Sequence, residues 1–98
     1  MKITELKLRP MENTGKLKAI VSIVFDAQFV IHDLKVVEGR KGLFISMPSR
    51  KLGDNFVEMA HPLNTETREM IERSIFAAYD ELIKAREEGR EFDGVMNF

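Results

Sequence analysis

The side chains best able to do chemistry in this sequence are His32, His61, three spaced glutamates and two pairs of adjacent cations. His32 is followed by Asp33, and a histidine held by a carboxylate can act as an oriented base. Neighbouring residues of a strand point to opposite faces, however, so these two pair only where a bulge turns one of them. A hydrogen-bonded structural histidine is the simpler expectation. His61 precedes Pro62 and reads as hydrogen bonding at a strand end or helix entry. The two histidines would form a metal set with Asp33 or Glu58 only by meeting in space, since no HExxH-type spacing is present. There is no nucleophile elbow, G-x-G-x-x-G or P-loop. Glu66, Glu69 and Glu72 fall three apart on one helix, the pattern of a solvated acidic face. The expectation is no enzyme, no metal and no cofactor.

The cations are more suggestive. Ser49-Arg50-Lys51 follows Pro48 in a polar stretch that also holds Gly53, and Arg40-Lys41 sits in a tight turn between Gly39 and Gly42. Adjacent bases on a loop can contact phosphate, and arginine can read guanine edges. For Arg50 and Lys51 this stands level with ordinary solubilising charge. For Lys7, Arg9, Lys16, Lys18 and Lys35, each taken singly, solubility and edge protection are the simpler account. Net charge is −1, but residues 1–51 carry ten Lys/Arg against five Asp/Glu, and residues 52–98 carry five against eleven. A near-neutral chain can thus present a basic region beside an acidic one, a hint of polyanion contact.

The elements that must position these groups are strands first, then a helix. Leu6 and Leu8 share a face of a first strand near Ile3–Arg9, and Ile3 is out of phase, which predicts a bulge. Glu12–Lys16 is a turn. Leu17, Ala19, Val21, Ile23 and Phe25 form a period-2 face. Asp26-Ala27-Gln28 is a hairpin turn into a third strand, Phe29–Val37. There, Phe29/Ile31 and Leu34/Val36 share a face only through a slip near His32-Asp33. Leu43–Met47 is a short strand, Ser49–Asn55 a polar loop, and Phe56–Ala60 a possible fifth strand. Asn64 is the expected N-cap of a helix from about Thr65 to Glu88, stopped by Gly89, with Ile71, Ile75, Ala78, Leu82 and Ala85 as its apolar stripe. The fold class is α+β: an antiparallel meander of four to five strands and one long C-terminal helix.

Length predicts one domain over 1–88, with acidic, Gly-containing 89–98 as a flexible tail whose Phe92, Val95, Met96 and Phe98 could instead dock on a partner. A 24-residue helix is about 36 Å long, against an expected domain width of about 33 Å. Its distal half is therefore expected to overhang. Burial of about 65% of the surface leaves a modest margin that a second subunit would improve. There is no cysteine, no signal-type h-region and no membrane-length apolar run, so the expected address is the cytoplasm, without membrane association.

Several strings are also recognisable: Met1-Lys2-Ile3-Thr4, Leu17–Ser22, Phe29-Val30-Ile31-His32-Asp33-Leu34, Gly42-Leu43-Phe44-Ile45-Ser46-Met47-Pro48-Ser49 and Ala60-His61-Pro62-Leu63-Asn64. In unbroken order to about Tyr79, they resemble the stage V sporulation protein G (SpoVG) family. The resemblance implies a small dimeric bacterial regulator that binds DNA, and in some members RNA, and acts in septation, sporulation or gene-expression control. It implies an antiparallel sheet with a C-terminal helix. A rival expectation is a structural module of the division machinery that engages a protein partner through the acidic helix and tail. The family's loop after Met-Pro-Ser commonly runs Lys-Arg-Thr-Pro-Asp-Gly. Here it is Arg50-Lys51-Leu52-Gly53-Asp54, one residue shorter, without proline and with the basic pair reversed. Val57 stands where the family often carries a base. The residues implied for nucleic acid are Arg50, Lys51, Arg40, Lys41 and Ser49.

Overall fold

A computed structural model describes all 98 residues, Met1–Phe98. It is α+β, as the residue pattern predicts. Strands β1 (Ile3–Pro10), β2 (Leu17–Phe25), β3 (Phe29–Gly39) and β4 (Gly42–Ser46) form an antiparallel meander. Next come β5 (Ser49–Leu52), β6 (Asn55–Glu58), helix α1 (Thr65–Glu88) and β7 (Val95–Asn97). The main sheet is ordered β4-β3-β2-β1-β7, and β5 and β6 pair only with each other.

The period-2 face of β2 does what its spacing dictates. Ala19, Val21, Ile23 and Phe25 are buried against Leu6 and Leu8 of β1 and Leu34 and Val36 of β3. Ile71, Ile75, Ala78 and Leu82 of α1 close that core from one side. Each fully buried aliphatic side chain contributes about 1.5–3 kcal/mol. The phase conflicts resolve as bulges. The β1–β2 register shifts between Ile3 and Glu5, returning Ile3 to the core face. The β2–β3 register shifts between Val21↔Leu34 and Ile23↔Ile31, so His32 and Asp33 together oppose Ser22. Asp33 takes φ 67° to make the extra step.

The helix is bounded by its own chemistry. Asn64 Oδ1 accepts from the Thr67 amide at 2.7 Å. At the other end Gly89 is left-handed, with Gly89 N donating to Arg86 O and Arg90 N to Ala85 O, a Schellman closure.

Three expectations are corrected. The helix does not overhang: it is buried along its length from Ile71 to Ala85, in a molecule whose longest dimension is 42 Å. Residues 95–97, read as part of a mobile tail, form β7 on the edge of β1, with Phe92 and Met96 against the core. Gly94 permits this, because at φ 82° it lies so close to β1 that a Cβ would overlap the Leu8 carbonyl oxygen. Finally, Ser49–Asn55 is not a loop but β5, the hairpin turn and the first residue of β6.

Candidate nucleic-acid interface

That hairpin is an arm. Its strands pair Ser49↔Glu58, Arg50↔Val57, Lys51↔Phe56 and Leu52↔Asn55. The turn is Gly53-Asp54, with Gly53 at φ 61° and Asp54 at negative φ, as a type II′ turn requires of its first central residue. Buried Met47 and Pro48 anchor the root. There the Met59 amide donates to Pro48 O at 2.7 Å, and Ser49 Oγ donates to Met47 O at 3.0 Å. Beyond the root nothing covers the arm: every residue from Arg50 to Met59 is exposed.

Directly opposed residues of an antiparallel pair share a face. One face of the arm therefore carries Ser49, Lys51, Phe56 and Glu58, and the other carries Arg50, Leu52, Asn55 and Val57. The two cations, adjacent in sequence, point to opposite sides. Ser49 is half buried, and its proton is committed to Met47 O. Arg40 and Lys41 occupy the two-residue turn between Gly39 and Gly42, at the other end of β4 from the arm's root, and that strand is about 16 Å long. The structure thus divides the five residues between a turn and an arm. None of Arg40, Lys41, Arg50 and Lys51 enters an ion pair. The basic partners in the six ion pairs are Lys7, Lys18, Arg73, Arg86 and Arg90.

The solvent face of the sheet carries further bases that sequence reasoning treated singly. The ladder sets Arg9 beside Ile20 and Ile20 beside Lys35, with Lys7 beside Ser22 in the next row. Strand register is the signal that joins them, and it is a tertiary fact. His32 lies in the same area, with Nδ1 2.8 Å from Ser22 Oγ. No carboxylate hydrogen-bonds its other ring nitrogen, so the serine lacks the oriented base of a nucleophilic pair. His61 Nδ1 contacts only the neighbouring Pro62 carbonyl, at 3.1 Å. No three His, Asp or Glu side chains converge as a metal set would. At the far end of the helix Arg90 bridges Glu81 and Glu88 at 3.1 and 3.0 Å. Its hydrogen bond to Glu88 holds that carboxyl below the ordinary glutamate value, and the two acids push the guanidinium up.

Sequence reasoning missed the apolar surface around the arm. Phe56 is 74% exposed, Leu63 92% and Phe29 66%. A half-open apolar groove of about 530 Å³ lies between the sheet and the start of α1, lined by Phe25, Phe29, Ile31, Met47, Pro62 and Ile71 among others. Its signal in the sequence was the ambiguous phase of β3, which leaves Phe29 unpaired with a core face.

The architecture is thus a meander backed by one helix, with a bare basic hairpin at its edge. The SpoVG family model matches residues 1–81, and the chain belongs to that family. It is 53% identical over 89 residues to a protein of Clostridium acetobutylicum, covering 90% of this chain and 93% of the relative. It is 52% identical over 80 residues to one of Alkaliphilus metalliredigens, covering 81% and 82%. A Clostridioides difficile protein is 52% identical over 84 residues, covering 85% and 91%. Each of these relatives carries the name "Putative septation protein SpoVG". No helix is long and apolar enough to cross a membrane.

Proposed function

We propose that this chain is a dimeric nucleic-acid-binding regulator, with DNA and also RNA as ligands, acting in the cytoplasm in bacterial septation, sporulation or gene-expression control. The observation that carries the proposal is the arm: Arg50 and Lys51 stand on a projecting hairpin, exposed and outside every ion pair of the chain. Cations held this way are available to phosphate at little desolvation cost, and phosphate contact supplies most sequence-independent affinity. Arg40 and Lys41 offer a second, equally free pair, and the sheet-face row of Arg9 and Lys35 extends the basic surface. The names of the relatives support the septation role. Two-fold symmetry would double the contacts.

The rival, a division-machinery module without nucleic acid, would engage its partner through the acidic helix and the apolar tail, of which Phe98 remains exposed. That tail's Phe92 and Met96 lie against this chain's own core.

The test is a binding titration of the full chain on random DNA and random RNA at two salt concentrations. Affinity should fall with salt at a log–log slope of about −0.9 per phosphate contacted on duplex and about −0.7 on single strands. The double variant Arg50→Ala/Lys51→Ala should bind more weakly and flatten the duplex slope by about 2 to 4. Binding that is absent, or indifferent to salt, would remove the proposal.

A further inference from the structure

The main sheet packs one face on α1 and leaves the other bare. Val36 and Ile45 are core residues paired across β3 and β4, so the alternate pairs Lys35↔Ser46, Val37↔Phe44 and Gly39↔Gly42 point away from the helix. Phe44 is the only aromatic that the five strands place on that bare face, and it is 49% exposed. Its ring is seated rather than pendant. A Cβ built on Gly39 would meet Phe44 Cδ1 and Cε1 at 3.1 Å, so the ring lies across the space that a side chain would fill there. The glycine gives the ring a seat on the strand, and half of the side chain stays in water.

The charge around the ring has one sign. The β1–β2 and β3–β4 turns lie at the same end of the meander, where Glu38 N donates to Lys16 O at 2.8 Å. They bring Lys16, Arg40 and Lys41 to the rim beside Phe44. Lys35 stands diagonal to the ring, about 7–8 Å away. Arg9 follows two strands further on in the same row, about 10 Å from Lys35. None of these five cations enters an ion pair. The carboxylates at this end, Glu12 and Glu38, are held by Arg86 and Lys18 at 3.2 and 3.3 Å. Asp33 and Glu5 belong to rows beyond Lys35 and Arg9.

We infer that this end of the sheet is a second nucleic-acid site, specific for single strands, in which a base stacks on the open side of the Phe44 ring while Lys35, Arg40 and Lys41 hold the flanking phosphates. The inference rests on the nucleic-acid reading above and adds to it a class of strand and a place separate from the arm, whose root is at the far end of β4. The ring selects the strand. An exposed ring face complements the face of an unpaired base, whereas a duplex keeps its base faces stacked inside. The free cations select a polyanion, because an apolar protein partner would cover the ring only by burying them unpaired.

The chain has no tryptophan, so Phe44→Trp places a lone indole at the proposed stacking position and keeps a ring there. The full-length variant is titrated with a short random RNA strand, a DNA strand of the same sequence, and the DNA duplex. Single strands should quench the indole to saturation, and the duplex should not. Quenching by the RNA strand, the DNA strand or both supports the site. Phe44→Leu keeps an apolar side chain over Gly39 but has no ring face. It should weaken single-strand binding by about 5-fold or more, the scale of one lost base stack, with duplex affinity unchanged. Arg50→Ala/Lys51→Ala should do the reverse, acting chiefly on the duplex. Circular dichroism of each variant should match wild type. Single strands that bind without quenching the indole, or a Phe44→Leu protein that binds them as wild type does, would overturn the second site and leave the arm standing. Equal losses on single strand and duplex would also overturn it. A wild-type chain that binds no nucleic acid at all would overturn both readings.

Discussion

Replacing Gly94 by alanine tests whether the C-terminal segment is part of the fold. Gly94 sits at φ 82°, and its carbonyl accepts from the Leu8 amide at 2.7 Å. An added Cβ overlaps the Leu8 carbonyl oxygen, which is backbone and cannot rotate away. The left-handed conformation alone costs an L-residue about 1–2 kcal/mol. The chain can escape by releasing β7, and the escape has its own cost. Phe92 and Met96 are partly buried against the core, and half of the usual burial free energy is about 1 kcal/mol each. Both routes arrive at about 2 kcal/mol, which for a domain of this size lowers Tm by about 8–16 °C. Denaturant unfolding gives the free energy, and amide exchange at Leu8 and Phe98, whose amides donate to Gly94 O and Thr4 O, reports the docking itself. A deletion of residues 94–98 should lose a comparable amount. A Gly94→Ala protein within about 0.5 kcal/mol of wild type, with Leu8 still protected, would refute this account, because surface changes alone fall in that range.

Three further outcomes follow from the same geometry. Ala27 occupies the hairpin turn at φ 53°, with its amide donating to Thr4 Oγ1 at 2.9 Å. Ala27→Gly should stabilise by about 0.5 kcal/mol, the left-handed penalty less glycine's added unfolded-state entropy, and a loss on thermal melting would contradict it. Asn64→Ala should cost about 1 kcal/mol through the lost cap, with Asn64→Asp close to wild type; equal melting of the two variants would count against the cap. The folded Glu88 carboxyl titrates below its ordinary value of 4.5 because of Arg90. Its contribution is therefore present above about pH 4.5 and is lost as pH falls through the lower, folded value. Arg90→Ala should melt lower than wild type at pH 7, and the gap should narrow toward pH 3; a constant gap would show that the pair contributes nothing through charge.

Much of this molecule was legible from residue order. The helix limits follow from Asn64 and Gly89, because caps are local chemistry. The β2 core face follows from strict alternation. The slip at His32-Asp33 follows from two apolar pairs that cannot otherwise face the same side. The candidate bases Arg40, Lys41, Arg50 and Lys51 were legible as residue types, since adjacent cations beside glycine and proline mark exposed turns. Their arrangement was not. Ser49–Asn55 has no face to bury, so it carries no alternation to reveal its strand, and only pairing with Asn55–Glu58 separates Arg50 from Lys51. The docking of Val95–Asn97 depends on an approach between Gly94 and Leu8, residues far apart in the chain. The groove and the bare arm exist only once sheet and helix are assembled. Periodicity and capping act within a few residues and can be read in one dimension; which edges pair and which apolar faces stay uncovered are set by contacts between distant segments, and those needed the folded chain.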